Sequence, residues 1–214
     1  SASIDSSEAY KHLKSGRRII PLLNKKRELV DYISFNKLKN IPLVKPDLDG
    51  NELTYLTKCI QSTYISSIGD FINLFEKKFK NYYKSNNALS VSSCTAGLQL
   101  VLQSLNLKNN DEVIVPNVTF ISPVNAIIHA GAKPVLCDIN PKNLTIDCSD
   151  LKKKITRKTK AIICVHTYGH PCNMTKILSL IRGKKIYLIE DCAEAIGTKF
   201  KNKNIGTFGD FSVF

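Results

Sequence analysis

Leu188-Ile-Glu-Asp-Cys-Ala-Glu-Ala-Ile-Gly197 runs from a short apolar segment straight into a cluster of carboxylates. Tyr187, Leu188 and Ile189 have the length and character of a buried strand. Glu190, Asp191 and Glu194 follow where a parallel strand of an open α/β sheet delivers its ligand contacts. Outward from this stretch, apolar segments at 88–92, 112–115, 134–138 and 161–165 read as further strands, and another begins at 211. Helical spacing falls between them at 95–105, 120–129, 149–155 and 173–181. Strands alternating with helices imply βαβ units and an α/β fold, a mainly parallel sheet flanked by helices.

Upstream the pattern is different. Pro46-Asp-Leu-Asp-Gly50 reads as a turn, and Asn51 as the cap of a helix through Gln61. A helix over 70–83 would align Phe71, Leu74, Phe75 and Phe79 along one face. Residues 1–40 form an expected N-terminal helical extension, with helical spacing in 6–14 and again in 24–38. Residues 41–214 belong to one larger domain.

Composition narrows the classes. Of the 214 residues, 43% are hydrophobic, enough to bury a core, yet no apolar run could span a bilayer. The N-terminus lacks a charged segment followed by an apolar one, so the expected compartment is the cytoplasm. Seven cysteines never form a CxxC pair, which reads as reduced thiols and no metal site. The net charge of +13 is spread along the chain, and its densest run, 152–160, has no interleaved aromatic. That pattern argues against nucleic acid and for a solvated surface that attracts phosphorylated ligands.

Three strand ends carry chemistry. In Val91-Ser-Ser-Cys-Thr-Ala-Gly97, an apolar segment meets hydroxylic and small residues just before a helix. Free backbone N–H groups and the helix dipole there suit a phosphate, although an ordinary serine or threonine cap has the same appearance. Val113-Ile-Val-Pro-Asn-Val-Thr-Phe120 ends near the same rim, where Phe120 could stack on a planar group or pack in the core. Asp191 could keep a ring nitrogen protonated. The conjunction of phosphate cradle, stacking face and pyridinium partner points to pyridoxal 5′-phosphate. Among other candidates, His166 and His170 are separated by Gly169 and followed by Pro171, which suits a substrate-side loop better than a helical metal pair. Tyr64 and Ser66 fit either a site rim or a structural role, and Asp138 reads as a turn former.

At this point the chain resembles the DegT/DnrJ/EryC1/StrS sugar-nucleotide aminotransferases. The matching stretches are Gly50-Asn-Glu52, Tyr64-Ile-Ser-Ser67, Ser92-Ser-Cys-Thr-Ala-Gly-Leu98, Glu112-Val-Ile-Val-Pro116, Thr119-Phe120, Val165-His-Thr-Tyr-Gly-His-Pro171, Glu190-Asp-Cys-Ala-Glu-Ala195 and Gly206-Thr-Phe-Gly-Asp210. They cover roughly residues 41–214 and look most like the perosamine-synthase type, which aminates C4 of a 4-keto-6-deoxy sugar nucleotide.

The resemblance implies the fold-type-I transferase architecture, with 41–214 as the N-terminal part of a cofactor-binding large domain. It implies that the backbone at Thr95 and Ala96 binds the cofactor phosphate, Phe120 stacks on its ring, Asp191 meets the ring nitrogen and Glu194 lies near the ring hydroxyl. Glu194 stands where many relatives have glutamine, and Cys94 where they have glycine. It also implies a homodimer, L-glutamate as amino donor, and a Schiff-base lysine a few residues beyond Phe214, so a longer polypeptide is expected. Two alternatives stay open: a pyridoxal-phosphate-dependent sugar dehydratase with histidine in place of that lysine, and a non-catalytic member of the fold.

Overall fold

The computed structural model describes residues 6–16, 18–34, 46–66 and 68–214. The chain divides into two compact units, Ser1–Thr63 and Tyr64–Phe214.

In the first unit, helix α1 (Ser6–Lys14) buries Ala9 and Leu13, one turn apart on a single face. Strands β1 (Ile19–Leu23) and β2 (Leu29–Ser34) pair antiparallel. This hairpin replaces the helix expected from Asn24. Ile19, Ile20, Val30 and Ile33 are β-branched and favour a pleated surface. Asn24 Oδ1 accepts the N–H groups of Lys26 (2.9 Å) and Glu28 (3.0 Å), and Arg27 takes a positive φ of 62°, which together close the turn. The rest of that expected helix, 35–38, and the expected boundary at 40/41 lie outside the described residues. Helix α2 (Glu52–Ser62) forms where expected; Asn51 occupies the N-cap position but its side chain makes no capping bond.

The second unit carries α3 (Asp70–Tyr83), α4 (Cys94–Ser104), β3 (Glu112–Pro116), α5 (Ser122–His129), β4 (Lys133–Cys137), α6 (Cys148–Lys154), β5 (Thr159–Val165), α7 (Met174–Ile181) and β6 (Tyr187–Asp191). A small hairpin, β7 (Lys199–Phe200) and β8 (Lys203–Asn204), leads to β9 (Phe211–Val213). The central sheet runs β4-β3-β5-β6-β9 with every pair parallel. Two local expectations are corrected. Residues 88–92 join no ladder among the described residues, and within them Glu76 Oε1 takes both the N–H (2.8 Å) and the hydroxyl (2.9 Å) of Ser90. Phe120 does not open α5, which starts at Ser122 with Pro123 in its first turn.

Strand alternation builds two cores, one on each face of the sheet. Val113, Val115, Ala161, Ile163 and Ile189 meet Leu98 and Leu102 of α4 and Ile127 of α5. Ile114, Ile162, Cys164 and Leu188 meet Leu151 of α6 and Met174 and Ile177 of α7. The order of the strands makes β3 and β5 neighbours across the point where the sheet reverses its direction of growth, and ligands of open α/β sheets bind at such carboxyl ends.

Candidate active site

The same alternation separates the carboxylates that stand side by side in the sequence. Asp191 shares its face with Ile189 and so lies on the α4 side, while Glu190 shares the opposite face with Leu188.

Asp191 is buried at the end of β6. Its Oδ1 accepts the Ala193 N–H (3.1 Å) and the thiol of Cys94 (3.6 Å), and no bond to Oδ2 is found among the described residues. Burial raises its pKa above the ordinary aspartate range, against the smaller opposing effects of the Ala193 amide and the Cys94 thiol. A cation at Oδ2 would relieve that desolvation.

The Cys94 contact sets the first turn of α4 beside this carboxylate. Ser93 caps the helix, its Oγ accepting the Ala96 N–H at 3.2 Å. The amide of Ala96, expected at the phosphate site, is thus taken up by the cap. The Cys94 and Thr95 amides have no partner among the described residues. Thr95 Oγ1 lies 2.7 Å from Ser122 Oγ, which brings the N-terminal turns of α4 and α5 together. Amides, hydroxyls and two helix dipoles therefore converge, the arrangement an anion needs. Burial and the negative charge of Asp191 push the Cys94 thiol up to about 12, so it stays protonated.

Phe120 is 76% exposed, which removes the core reading and leaves a ring face open. Beside it, Thr119 Oγ1 is buried with no hydrogen-bond partner among the described residues. An orphaned hydroxyl of this kind costs free energy until something bonds it.

Glu190 does different work. Its Oε1 accepts the N–H groups of Phe208 and Gly209, both at 2.7 Å, and its Oε2 accepts Gly206 N–H (2.9 Å) and His166 Nε2 (3.2 Å). Burial works against its charge, but His166 and the Gly206 and Gly209 amides prevail and hold its pKa below the ordinary range. His166 Nδ1 accepts the Cys172 N–H (3.1 Å). The Cys172 N–H takes the Nδ1 lone pair, which leaves the ring proton on Nε2 toward Glu190. Burial works against a charge on His166, yet the Cys172 and Glu190 side chains push its pKa up to about 9. The His166 side chain is therefore buried and structural, whereas His170, in the loop read as substrate-side, is exposed. His166, Glu190 and Cys192 lie close enough to share a metal, yet both Glu190 oxygens are already saturated by hydrogen bonds.

Glu194 is exposed, and its Oε2 accepts the backbone N–H of Tyr168 at 2.6 Å. Asp138 behaves as the expected turn former, its Oδ1 accepting the Ile139 N–H at 2.8 Å. Tyr64 and Ser66 are exposed. Sequence reasoning missed Ser122 and the Cys94–Asp191 contact. The alternation through Ile189, Glu190 and Asp191 was the signal that could have told the two carboxylates apart.

Residues 46–214 match the DegT/DnrJ/EryC1/StrS aminotransferase family. The chain belongs to this family. Among curated relatives it is 47% identical over 177 residues to a GDP-perosamine synthase of Escherichia coli O157:H7, covering 83% of this chain and 49% of that protein. It therefore spans about half the length of the curated relatives it matches. Among solved structures it is similar to an aminotransferase from Psychrobacter cryohalolentis, with TM-score 0.75, 31% identity and coverage of 80% of this chain and 44% of that one. It is also similar to the Escherichia coli GDP-4-keto-6-deoxy-D-mannose-3-dehydratase with bound hydrated pyridoxal phosphate, with TM-score 0.74, 32% identity, and 78% and 44% coverage. These likenesses bear out the fold-type-I architecture. The residues present fit that cofactor: helix N-terminal amides beside two hydroxyls, an exposed aromatic, a buried hydroxyl without a partner among the described residues, and a buried carboxylate with one oxygen unbonded among them.

Proposed function

We propose that the chain forms the cofactor-binding part of a pyridoxal-phosphate-dependent aminotransferase, which transfers the amino group of L-glutamate to C4 of a nucleotide-linked 4-keto-6-deoxy sugar. The observation that carries this reading is the 3.6 Å contact between Cys94 Sγ and Asp191 Oδ1. It sets unbonded helix N-terminal amides beside a buried carboxylate, two features that a phosphorylated pyridine needs together. The likeness to GDP-perosamine synthases supports the substrate class.

When bound, the cofactor supplies an electron sink for bonds at the amino carbon. The amides of Cys94 and Thr95 and the Thr95 and Ser122 hydroxyls bind its phosphate. Phe120 covers one ring face and excludes water from it. Asp191, raised by burial, becomes an anion on meeting the ring nitrogen and holds the proton there. Glu194 orients the neighbouring turn through Tyr168. The lysine expected after Phe214 would anchor the cofactor and move the proton at the amino carbon.

Asp191→Asn should lower cofactor affinity and transamination by about a hundredfold, since it removes a charge-assisted bond at a buried site. Unchanged activity in that variant would remove the pyridinium role. Borohydride trapping with pyridoxal phosphate and peptide mapping should give a reduced adduct on a lysine shortly after Phe214. The likeness to the dehydratase structure favours a second reading, in which histidine replaces the lysine; cofactor bound without an adduct would select it. Absence of cofactor binding would leave a non-catalytic member of the family.

We also propose that the protein self-associates, because Ile121, Ile128 and Ile196 leave apolar surface exposed. Light scattering should give the mass of a dimer, and a monomer at all concentrations would sink this.

A further inference from the structure

Tyr168 stands in the short turn after β5, at φ 52° and ψ 32°. A bulky side chain seldom takes this left-handed conformation, which glycine adopts freely. The conformation itself is demanded by the fold, because the turn is pinned from several sides. Gly169 N–H donates to His166 O and His170 N–H to Thr167 O, both at 3.0 Å. Thr198 Oγ1 donates to Gly169 O at 3.1 Å, and the Tyr168 N–H is clipped by the Glu194 carboxylate at 2.6 Å. None of this requires tyrosine. The residue is 76% exposed, and its ring joins no aromatic contact among the described residues. The turn also adjoins Asp191, whose carbonyl accepts the His166 N–H at 3.1 Å. A strained position held by its surroundings, carrying a large and mostly exposed ring with no ring partner among the described residues, points to a ligand contact.

We propose that Tyr168 is a substrate-positioning residue, its ring laid against the hexose of the nucleotide-linked sugar, with Glu194 holding the turn that presents it. This rests on the sugar-aminotransferase reading above. The electron-rich face of a phenol attracts the slightly positive C–H face of a sugar and repels the carboxylates of glutamate, and its hydroxyl can bond the sugar's hydroxyls. The contact is therefore specific to the sugar half of the reaction.

The test uses the native polypeptide reconstituted with pyridoxal phosphate. Tyr168→Gly keeps the turn, since glycine accepts the same φ, and removes the ring. Its KM for a GDP-linked 4-keto-6-deoxyhexose should rise about tenfold. The rate at which L-glutamate alone changes the cofactor absorbance should match wild type. Tyr168→Phe should restore the KM to within about twofold. An unchanged KM in Tyr168→Gly, or an equal loss in the glutamate reaction, overturns the proposal. A cofactor-loaded wild type whose absorbance responds to neither substrate overturns the aminotransferase reading, and this inference with it.

Discussion

Asp191 and Glu190 are adjacent carboxylates with opposite electrostatics, and pH should tell them apart. Asp191 has its pKa raised by burial above the ordinary 3.8. The unfolded chain then binds fewer protons than the folded one, so in the cofactor-free protein its contribution to stability falls as pH rises through the raised value. Urea unfolding across the acidic to neutral range should show Asp191→Asn more stable than wild type at neutral pH, with that slope removed. A variant less stable than wild type at neutral pH would contradict the unrelieved burial of this carboxylate. Glu190 is lowered from the ordinary 4.5, so its stabilisation is present above that value and is lost as pH falls through the depressed one.

At the scale of elements, Glu190 fastens the 206–209 segment that feeds β9. Gly209 is required there by close approach, since a Cβ would lie 2.5 Å from the Leu188 carbonyl oxygen. Gly97 of α4 is similarly close-packed, with a Cβ position 2.5 Å from Val213 Cγ1 of β9. Glu190→Gln would turn an amide donor toward backbone N–H groups and should cost about 3 kcal/mol of stability in chemical denaturation. Faster hydrogen exchange at Gly206, Phe208 and Gly209 should accompany the loss. Full protection of those amides in the variant would show that the carboxylate does not hold the segment.

For the whole molecule, the formal net charge of +13 creates a field that draws anionic ligands. Screening sets in over about 10 Å at 0.1 M salt, so KM for a sugar nucleotide should rise several-fold between about 0.05 M and about 0.5 M ionic strength. Steady-state kinetics would check this, with uncharged salt-matched osmolyte as control; a flat response would assign recognition to short-range contacts alone. Among the described residues, no helix is long and apolar enough to cross a membrane.

The alternation of apolar strands with helical segments determined the parallel sheet, because burying both faces of such strands against helices leaves few other solutions. The motifs likewise singled out Asp191, at the end of β6, and Thr95, whose helix turn reaches that carboxylate through Cys94. The hairpin at 19–34 was not legible, since its charged residues fit a helical spacing until a partner strand and the Asn24 turn compete with it. Nor was the division of labour among three neighbouring carboxylates. Residue identity sets that a carboxylate is present, but the face it occupies and the donors it meets come from residues distant in the chain. Cys94 reaches Asp191, His166 and Gly206 reach Glu190, and Tyr168 reaches Glu194. Only the folded structure decides those meetings, because electrostatics and hydrogen bonding act over a few ångströms of space and not along the sequence.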